Sequence, residues 1–412
     1  MSTPAASSVP RGSPGCREDR IRRLATTLGL NRNTWAVAGA MFLLAFGENL
    51  WRRFMPKYLQ ALGAPVVAIG AYGSTEDLLD GLYQYPGGWA ADRYGRRPAL
   101  LAFVGVAVMG YLVLAAAPSW QVIFVGLVLI MAWTSMASPT LFAVVGDALP
   151  ASKRAIGFSV QAILRRVPIV VAPTLGGVLI AAYGVRSGVR LGLAMSAALG
   201  LATLCVVAQI RLTLPEQGGT RGMRQVWRSF AGPLRRLLLA DVFIRTCDAL
   251  VDVFLVLYAL NIVGISAPRY GVLIAAEMAT TIVVSIPASR IADRTGRKPF
   301  VIVTFVAFAL FPVAVVVAHS FAALVAAFVV GGLREIGEPA RKALILDLVP
   351  AGSRARAVGF CYLVRSLAIA PAATVGGLLW KITPTLPFAL AALVGLAGTA
   401  VFALTVDERY AA

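Results

Sequence analysis

Ten acidic side chains (Glu48, Glu76, Asp77, Asp80, Asp241, Asp248, Asp252, Glu277, Glu335 and Glu338) lie inside long apolar runs, together with ten basic ones (Arg52, Arg53, Arg165, Arg166, Arg245, Arg290, Arg334, Arg341, Lys342 and Arg365). A lone charge at the centre of a bilayer costs at least about 2.5–3.5 kcal/mol on the insertion scale. Groups so placed pair with one another, exchange protons, or face a water-filled hollow. Spacing sorts them. Glu48 and Arg52 are four residues apart, share a helix face and read as an ion pair, as do Asp241 and Arg245. Glu338 has Arg334, Arg341 and Lys342 within one turn, which reads as a locked structural network. Asp248 and Asp252 put two acids on one face, Glu76 and Asp80 repeat that geometry, and Glu277 has no base within four positions on its own helix. Two like charges on one face do not both ionise cheaply. The candidates for proton uptake and release are therefore Glu48, Glu76, Asp80, Asp248, Asp252 and Glu277; carboxylates suit sodium as well, so sodium stays open as the coupling ion. Arg52, Arg165, Arg166 and Arg365, with Glu335, are the candidates for solute binding, because convergent guanidinium groups suit a carboxylate or phosphate. The competing reading makes these bases counter-ions of the acids, and the ten-to-ten balance favours it.

The elements that must position these charges are membrane helices. With 412 residues, 58% of them hydrophobic, and a mean hydropathy of +0.78, the chain is not an ordinary soluble protein. A span needs about 20 apolar residues. Twelve are expected, at 34–60, 66–91, 99–117, 121–148, 154–182, 191–211, 237–262, 270–291, 299–317, 321–348, 357–380 and 387–406; they are numbered here as spans 1 to 12. Spans 3, 6, 9 and 12 hold no charge in their interiors, so one subset of helices lines a polar interior and another faces lipid.

The net charge of +19 is topological. With the N-terminus in the cytoplasm, the tails and the loops on that side hold 23 Lys/Arg, and the opposite loops hold only Lys57, Arg186, Arg190, Arg269 and Lys381. That asymmetry places both termini in the cytoplasm and argues against nucleic-acid binding, as no soluble basic domain exists to perform it. Cys16, Cys205, Cys247 and Cys361 have no metal-like spacing and read as apolar fillers. Residues 1–32 are Ser/Pro/Arg-rich, lack the apolar stretch of a signal peptide, and read as a disordered cytoplasmic tail.

A basic cassette occurs twice, after spans 2 and 8: Gly88-Trp-Ala-Ala-Asp92-Arg93-Tyr-Gly95-Arg96-Arg97-Pro98 and Ser289-Arg-Ile-Ala-Asp293-Arg294-Thr-Gly296-Arg297-Lys298-Pro299. Shifted by about 200 residues, Glu48 falls on Asp248, Glu76 on Glu277, Asp147 on Asp347 and Arg165 on Arg365. The expected organisation is a tail at 1–32, six-helix bundles at 33–212 and 236–406, a cytoplasmic linker at 213–235 and a tail at 407–412. Within the cassette, small Gly88 lets helices approach, Gly95 and Gly296 permit a tight reversal, and Asp92 and Asp293 hold a helix N-terminus or pair with an arginine. Arg93, Arg96, Arg97, Arg294 and Arg297 suit bidentate pairing with acids at neighbouring helix ends, where Asp147 and Asp347 stand.

On these motifs the chain resembles the major facilitator superfamily over nearly its whole length after residue 32; the second cassette departs in having Ser289 where Gly is usual. The resemblance implies an all-α membrane protein of twelve transmembrane helices, in two pseudo-symmetric six-helix bundles around a central cavity, working by alternating access, with the cassette residues latching the outward-facing state. Span 5 contains Ala172-Pro173-Thr174-Leu175-Gly176-Gly177, similar to the end of that family's exporter motif, although Ala replaces its first Gly. The expectation is a monomeric transporter of a small organic solute in the bacterial inner membrane, coupled to protons by antiport in the efflux direction. The alternatives are proton-coupled uptake of an organic anion and, in another class, a transport-inactive sensor or binding protein. No nucleotide-binding loop, nucleophile–base spacing or metal cluster is present in the sequence, so no enzyme activity and no cofactor are expected.

Overall fold

The computed structural model describes residues 32–137, 154–209, 232–338, 340, 341, 344 and 354–406. The described residues are almost wholly helical and contain no strand. Backbone groups in hydrocarbon have no water to bond, and a helix satisfies them within one segment. Span 1 is Arg32–Trp51, a 3-10 turn Arg52–Phe54, and Met55–Ala61; span 2 is Val66–Tyr94 and span 3 Arg96–Ala116. Span 4 begins as Trp120–Met131 and widens into a π-helical turn, Ala132–Met136. Spans 7, 8 and 9 are Gly232–Leu257, Ala267–Thr295 and Lys298–Val317; span 10 is Phe321–Gly332 followed by the 3-10 turn Leu333–Glu335. Span 11 is Arg354–Ile369 and Ala372–Ile382, with Pro371 at the break, and span 12 is Leu386–Thr405.

One connection differs from expectation. The sequence placed a loop at 183–190 between spans 5 and 6. The structure shows helix from Arg154 to Ala208, interrupted only at Gly184, whose φ is 79° and ψ 167°. A single glycine accepts this left-handed conformation without the Cβ penalty of other residues, so one position reverses the chain where eight had been allotted.

Small residues set the helix spacing, and they do so in matched pairs. A Cβ on Gly176 would stand 1.8 Å from the Leu50 carbonyl oxygen, and one on Gly376 would stand 2.3 Å from that of Leu250. Span 5 therefore touches span 1 as span 11 touches span 7. Between the halves, span 2 packs on span 11 and span 5 on span 8. Gly70 lies against the Ala373 carbonyl and Gly271 against the Pro173 carbonyl, while Ser74 Oγ and Thr374 Oγ1 share a hydrogen bond at 2.7 Å. Helices in a membrane associate through such close backbone approaches and polar cross-links rather than through hydrophobicity. Two tryptophans settle into cores. Trp51 donates to Ser196 Oγ at 3.1 Å, and Trp380 stacks on Phe254 at 5.3 Å.

Three of the irregular turns have a common location, while a fourth, the π-turn Tyr258–Ile262 that ends span 7, lies away from it. Residues 52–54, 132–136 and 333–335 bring Arg52, Arg53, Trp133, Thr134, Ser135, Arg334 and Glu335 to one hollow between the halves. Non-helical backbone at membrane depth is tolerated where it lines a cavity, and π-turns recur at functional sites.

Candidate functional site

The hollow has three adjoining lobes of about 310, 400 and 380 Å³. Asp248 and Asp252 belong to the walls of all three. Spans 1, 2, 4, 5, 7, 8, 10 and 11 supply most of the lining; span 9, expected to be peripheral, adds Phe308, over whose ring Arg334 and Arg245 lie at 5.2 and 5.4 Å. Trp133 faces the smallest lobe, beside Tyr72 and Tyr270.

Two charge clusters repeat the internal symmetry with one substitution. In the first half Arg52 contacts Glu48 at 2.7 Å and Glu76 at 2.6 Å. In the second half the equivalent acids, Asp248 and Glu277, are bridged by Arg334, which lies 2.5 Å from Asp248. The guanidinium comes from span 1 in one case and from span 10 in the other. The reason is legible at the equivalent positions: Asp252 stands where Arg52 would be repeated, and Thr134 stands where Arg334 would be. Asp252, lacking a base in its own half, reaches across to Arg53 at 3.0 Å. Among the described residues this is the one ion pair between the halves. At the same end Lys57 Nζ donates to Asn261 Oδ1 at 2.5 Å and Asn261 Nδ2 to Gln60 Oε1 at 3.1 Å, and Gly177 lies against Ala267. This end, opposite the cassettes, is drawn together.

A deeper network anchors the second half. Asp241 was expected to pair with Arg245 four residues on. It is held instead by Arg341 at 2.5 Å and Arg365 at 3.6 Å, while Arg245 turns to Glu338 at 3.1 Å. Asp241 is 4% exposed. A carboxylate so deprived of water needs more than one partner, and spans 10 and 11 deliver two. Glu338 is locked as expected, with Arg341 at 2.6 Å and Arg245 rather than Arg334 as its second partner.

The expected proton carriers thus divide. Glu48, Glu76, Asp248, Asp252 and Glu277 are each in contact with an arginine; Glu277, without a base on its own helix, acquires one from span 10. Asp80 accepts a hydrogen bond from Ser135 Oγ at 2.6 Å. Of the solute-binding candidates, Arg52, Arg166, Glu335 and Arg365 line the hollow. Arg166 donates to Ser285 Oγ across the seam at 3.4 Å, and Arg365 lies over the Tyr362 ring at 4.6 Å. The Arg165 side chain lies outside the described residues. Spacing along single helices did not single out Arg53 or Asp77 and assigned Arg334 to Glu338 rather than to Asp248 and Glu277, since their significance comes from neighbours on other helices.

At the cassettes, Gly95 and Gly296 have φ of 91° and 103°, as the tight reversals require. Arg93 lies over the Trp89 ring at 5.8 Å, and Arg97 donates to the Ala208 carbonyl at the end of span 6. The close approach expected at Gly88 falls one residue earlier. A Cβ on Gly88 would meet nothing within 4 Å, but one on Gly87 would stand 2.5 Å from Met136 Cα. The π-turn of span 4 pushes its backbone towards that position. Arg96 and Arg297 each have interaction partners, and Arg294 lies in the last turn of span 8. The side chains of Asp92 and Asp293, and the whole of Asp147 and Asp347, lie outside the described residues, so their expected pairings do too.

A two-bundle membrane protein enclosing a charged hollow is the architecture of a solute transporter. Residues 37–258 and 237–412 match the family model described as Major Facilitator Superfamily, and the chain belongs to that family. It is a multi-pass all-α protein with twelve transmembrane helices in two pseudo-symmetric bundles. Six of the described helices qualify as spans by length and apolarity alone. Solved structures confirm the fold: a POT family transporter bound to a thioalcohol-conjugated peptide has a TM-score of 0.75 at 14% identity, covering 90% of this chain and 96% of its own. The D-xylose-proton symporter has a TM-score of 0.74 at 13% identity, covering 92% and 99%. Among curated proteins, the quinolone resistance protein NorA of Staphylococcus aureus is 23% identical over 134 residues, which is 32% of this chain and 34% of that protein. The matched stretch thus spans about a third of that relative's length.

Proposed function

We propose that this protein is a proton-coupled antiporter that exports a small organic solute by rocking its two halves about the seam. The observation that carries the reading is the hollow itself: charged walls drawn from both halves, with most ion pairs made within one half and, among the described residues, a single bridge, Arg53–Asp252, between them. A seam so built parts by breaking few ion pairs. The likeness to NorA supports efflux, and the solute is not specified by it. We further propose halves at 33–212 and 236–406 joined by 213–235, a plasma-membrane (bacterial inner-membrane) location with both termini cytoplasmic, and a monomer. In this orientation the end opposite the cassettes is the outer one, and the structure is closed there. The cassettes serve as the inner latch of the outward-facing state. The substrate-side candidates remain Arg52, Arg165, Arg166, Glu335 and Arg365.

Purified protein in liposomes tests the reading, with a quinolone as trial solute. Movement driven by an imposed pH gradient, opposite to the proton flow, is expected. Movement along with the protons would favour uptake, and binding without flux would favour a sensor. For the latch, Asp92→Asn should abolish transport while leaving expression intact; normal turnover in that variant removes the latch.

A further inference from the structure

One lobe of the seam contains a carboxyl that the ion pairing leaves over. The 380 Å³ lobe is walled by Glu76, Asp77, Asp80, Asp248 and Asp252 and by three arginines, Arg52, Arg245 and Arg365. Each arginine is already engaged by another acid: Arg52 by Glu48 and Glu76, Arg245 by Glu338, and Arg365 by Asp241. Glu76, Asp248 and Asp252 each touch a guanidinium, and Asp80 has the Ser135 hydroxyl. Among the described residues Asp77 alone of the five has neither an ion pair nor a hydrogen bond. Glu335 also lacks an ion pair, but it belongs to another lobe, which is lined by four arginines, Arg53, Arg166, Arg245 and Arg334. The internal repeat sharpens the contrast. The positions equivalent to Asp77 and Asp80 in the second half are Met278 and Thr281, so these acids have no twin and no matching base.

We propose that Asp77 is the proton-bearing carboxyl of the seam, binding one proton when its lobe is open to one side and releasing it after the halves have rocked. The proposal rests on the proton-coupled reading above. The step is proton binding to a carboxylate oxygen and needs no other reactant. Charged groups line the lobe of Asp77 from its own helix (Glu76 and Asp80), from span 1 (Arg52), from span 7 (Arg245, Asp248 and Asp252) and from span 11 (Arg365); among the described residues span 4 presents Met131, Thr134 and Ser135 and no charge. A proton on Glu76, Asp248 or Asp252 would weaken an existing ion pair. A proton on Asp77 removes a negative charge from an acid-rich wall and strands no guanidinium.

Infrared difference spectroscopy on the purified protein reads this without any solute. The wild type should show a protonated-carboxyl stretch that grows as pH falls. Asp77→Asn should lose that band, Asp77→Glu should keep it at a shifted frequency, and Glu277→Gln should keep it unchanged. A band that survives in Asp77→Asn overturns the assignment. In liposomes, Asp77→Asn should lose quinolone movement driven by a pH gradient while keeping exchange of labelled for unlabelled quinolone without a gradient. Gradient-driven movement at the wild-type rate in that variant also overturns it. If the wild type itself ignores the gradient while the band still depends on Asp77, the coupling reading fails and the assignment of the proton to Asp77 stands.

Discussion

The two halves solve one electrostatic problem in two ways. Each presents a pair of acids on its first and second helices, Glu48 with Glu76 and Asp248 with Glu277, and each spans them with one guanidinium. In the first half the arginine lies one turn from Glu48 on the same helix and is 41% exposed. In the second half it comes from span 10, is 11% exposed, and is backed by the Phe311 ring at 4.2 Å. The second half adds a buried cluster, Asp241 and Glu338 around an Arg341 that is 2% exposed. The first half has no such anchor among the described residues and instead carries two acids without arginine partners, Asp77 and Asp80. The difference suggests a rigid second half and a first half whose charges remain available to the hollow.

Mutations can break this contrast. The largest effect should follow Arg341→Ala, which leaves Asp241 and Glu338 buried with weakened compensation; removing one partner of a buried pair costs about 3–5 kcal/mol, read as thermal unfolding in detergent. Arg52→Ala, at a half-exposed site, should cost clearly less, and equal losses would erase the distinction between the halves. Next come the twin contact glycines. Gly176→Ala and Gly376→Ala each force a methyl group into a carbonyl and should cost about 1–3 kcal/mol, by analogy with overpacked cores, with Gly176 the worse because its contact is tighter. A transplant sharpens the comparison further: Arg52→Thr with Thr134→Arg moves the first-half guanidinium to the helix that carries it in the second half. The double variant should recover about 0.5–3 kcal/mol of coupling relative to the sum of the single changes, and a purely additive outcome would show that the two arrangements are not interchangeable. The smallest stability effect belongs to Asp252→Asn. Its pair with Arg53 is half-exposed and worth about 0–1 kcal/mol, yet as the bridge between the halves its loss should raise thiol labelling of a cysteine placed at Asn261. Unchanged labelling would deny the bridge a gating role.

Much of the fold could be read directly from the chain. The apolar runs marked the helices, because a bilayer leaves few other ways to satisfy a backbone, and the repeated cassettes exposed the duplication. The Glu48–Arg52 pair was legible because four residues bring two side chains onto one face. The Asp241–Arg245 pair failed on the same rule, since buried Asp241 found better donors on helices distant in sequence. The expected loop between spans 5 and 6 shrank to one residue because Gly184 alone could turn the chain, and the approach expected at Gly88 moved to Gly87, beside a π-turn that periodicity does not announce. Asp77 was passed over because it had no partner four residues away, the very circumstance that makes it the exceptional acid once the other helices are in place.

Sequence by itself determined that the chain spans a membrane as two related halves with its charges on the inner helices, because hydropathy and repetition are properties of order along the chain. Only the tertiary structure decided which arginine neutralises which acid, that Arg53 and Asp252 join the halves, and that Asp77 is left over. Ion pairing inside a membrane is a contest among side chains from many helices over distances of about 3 Å, and helix spacing along a single segment cannot record its outcome.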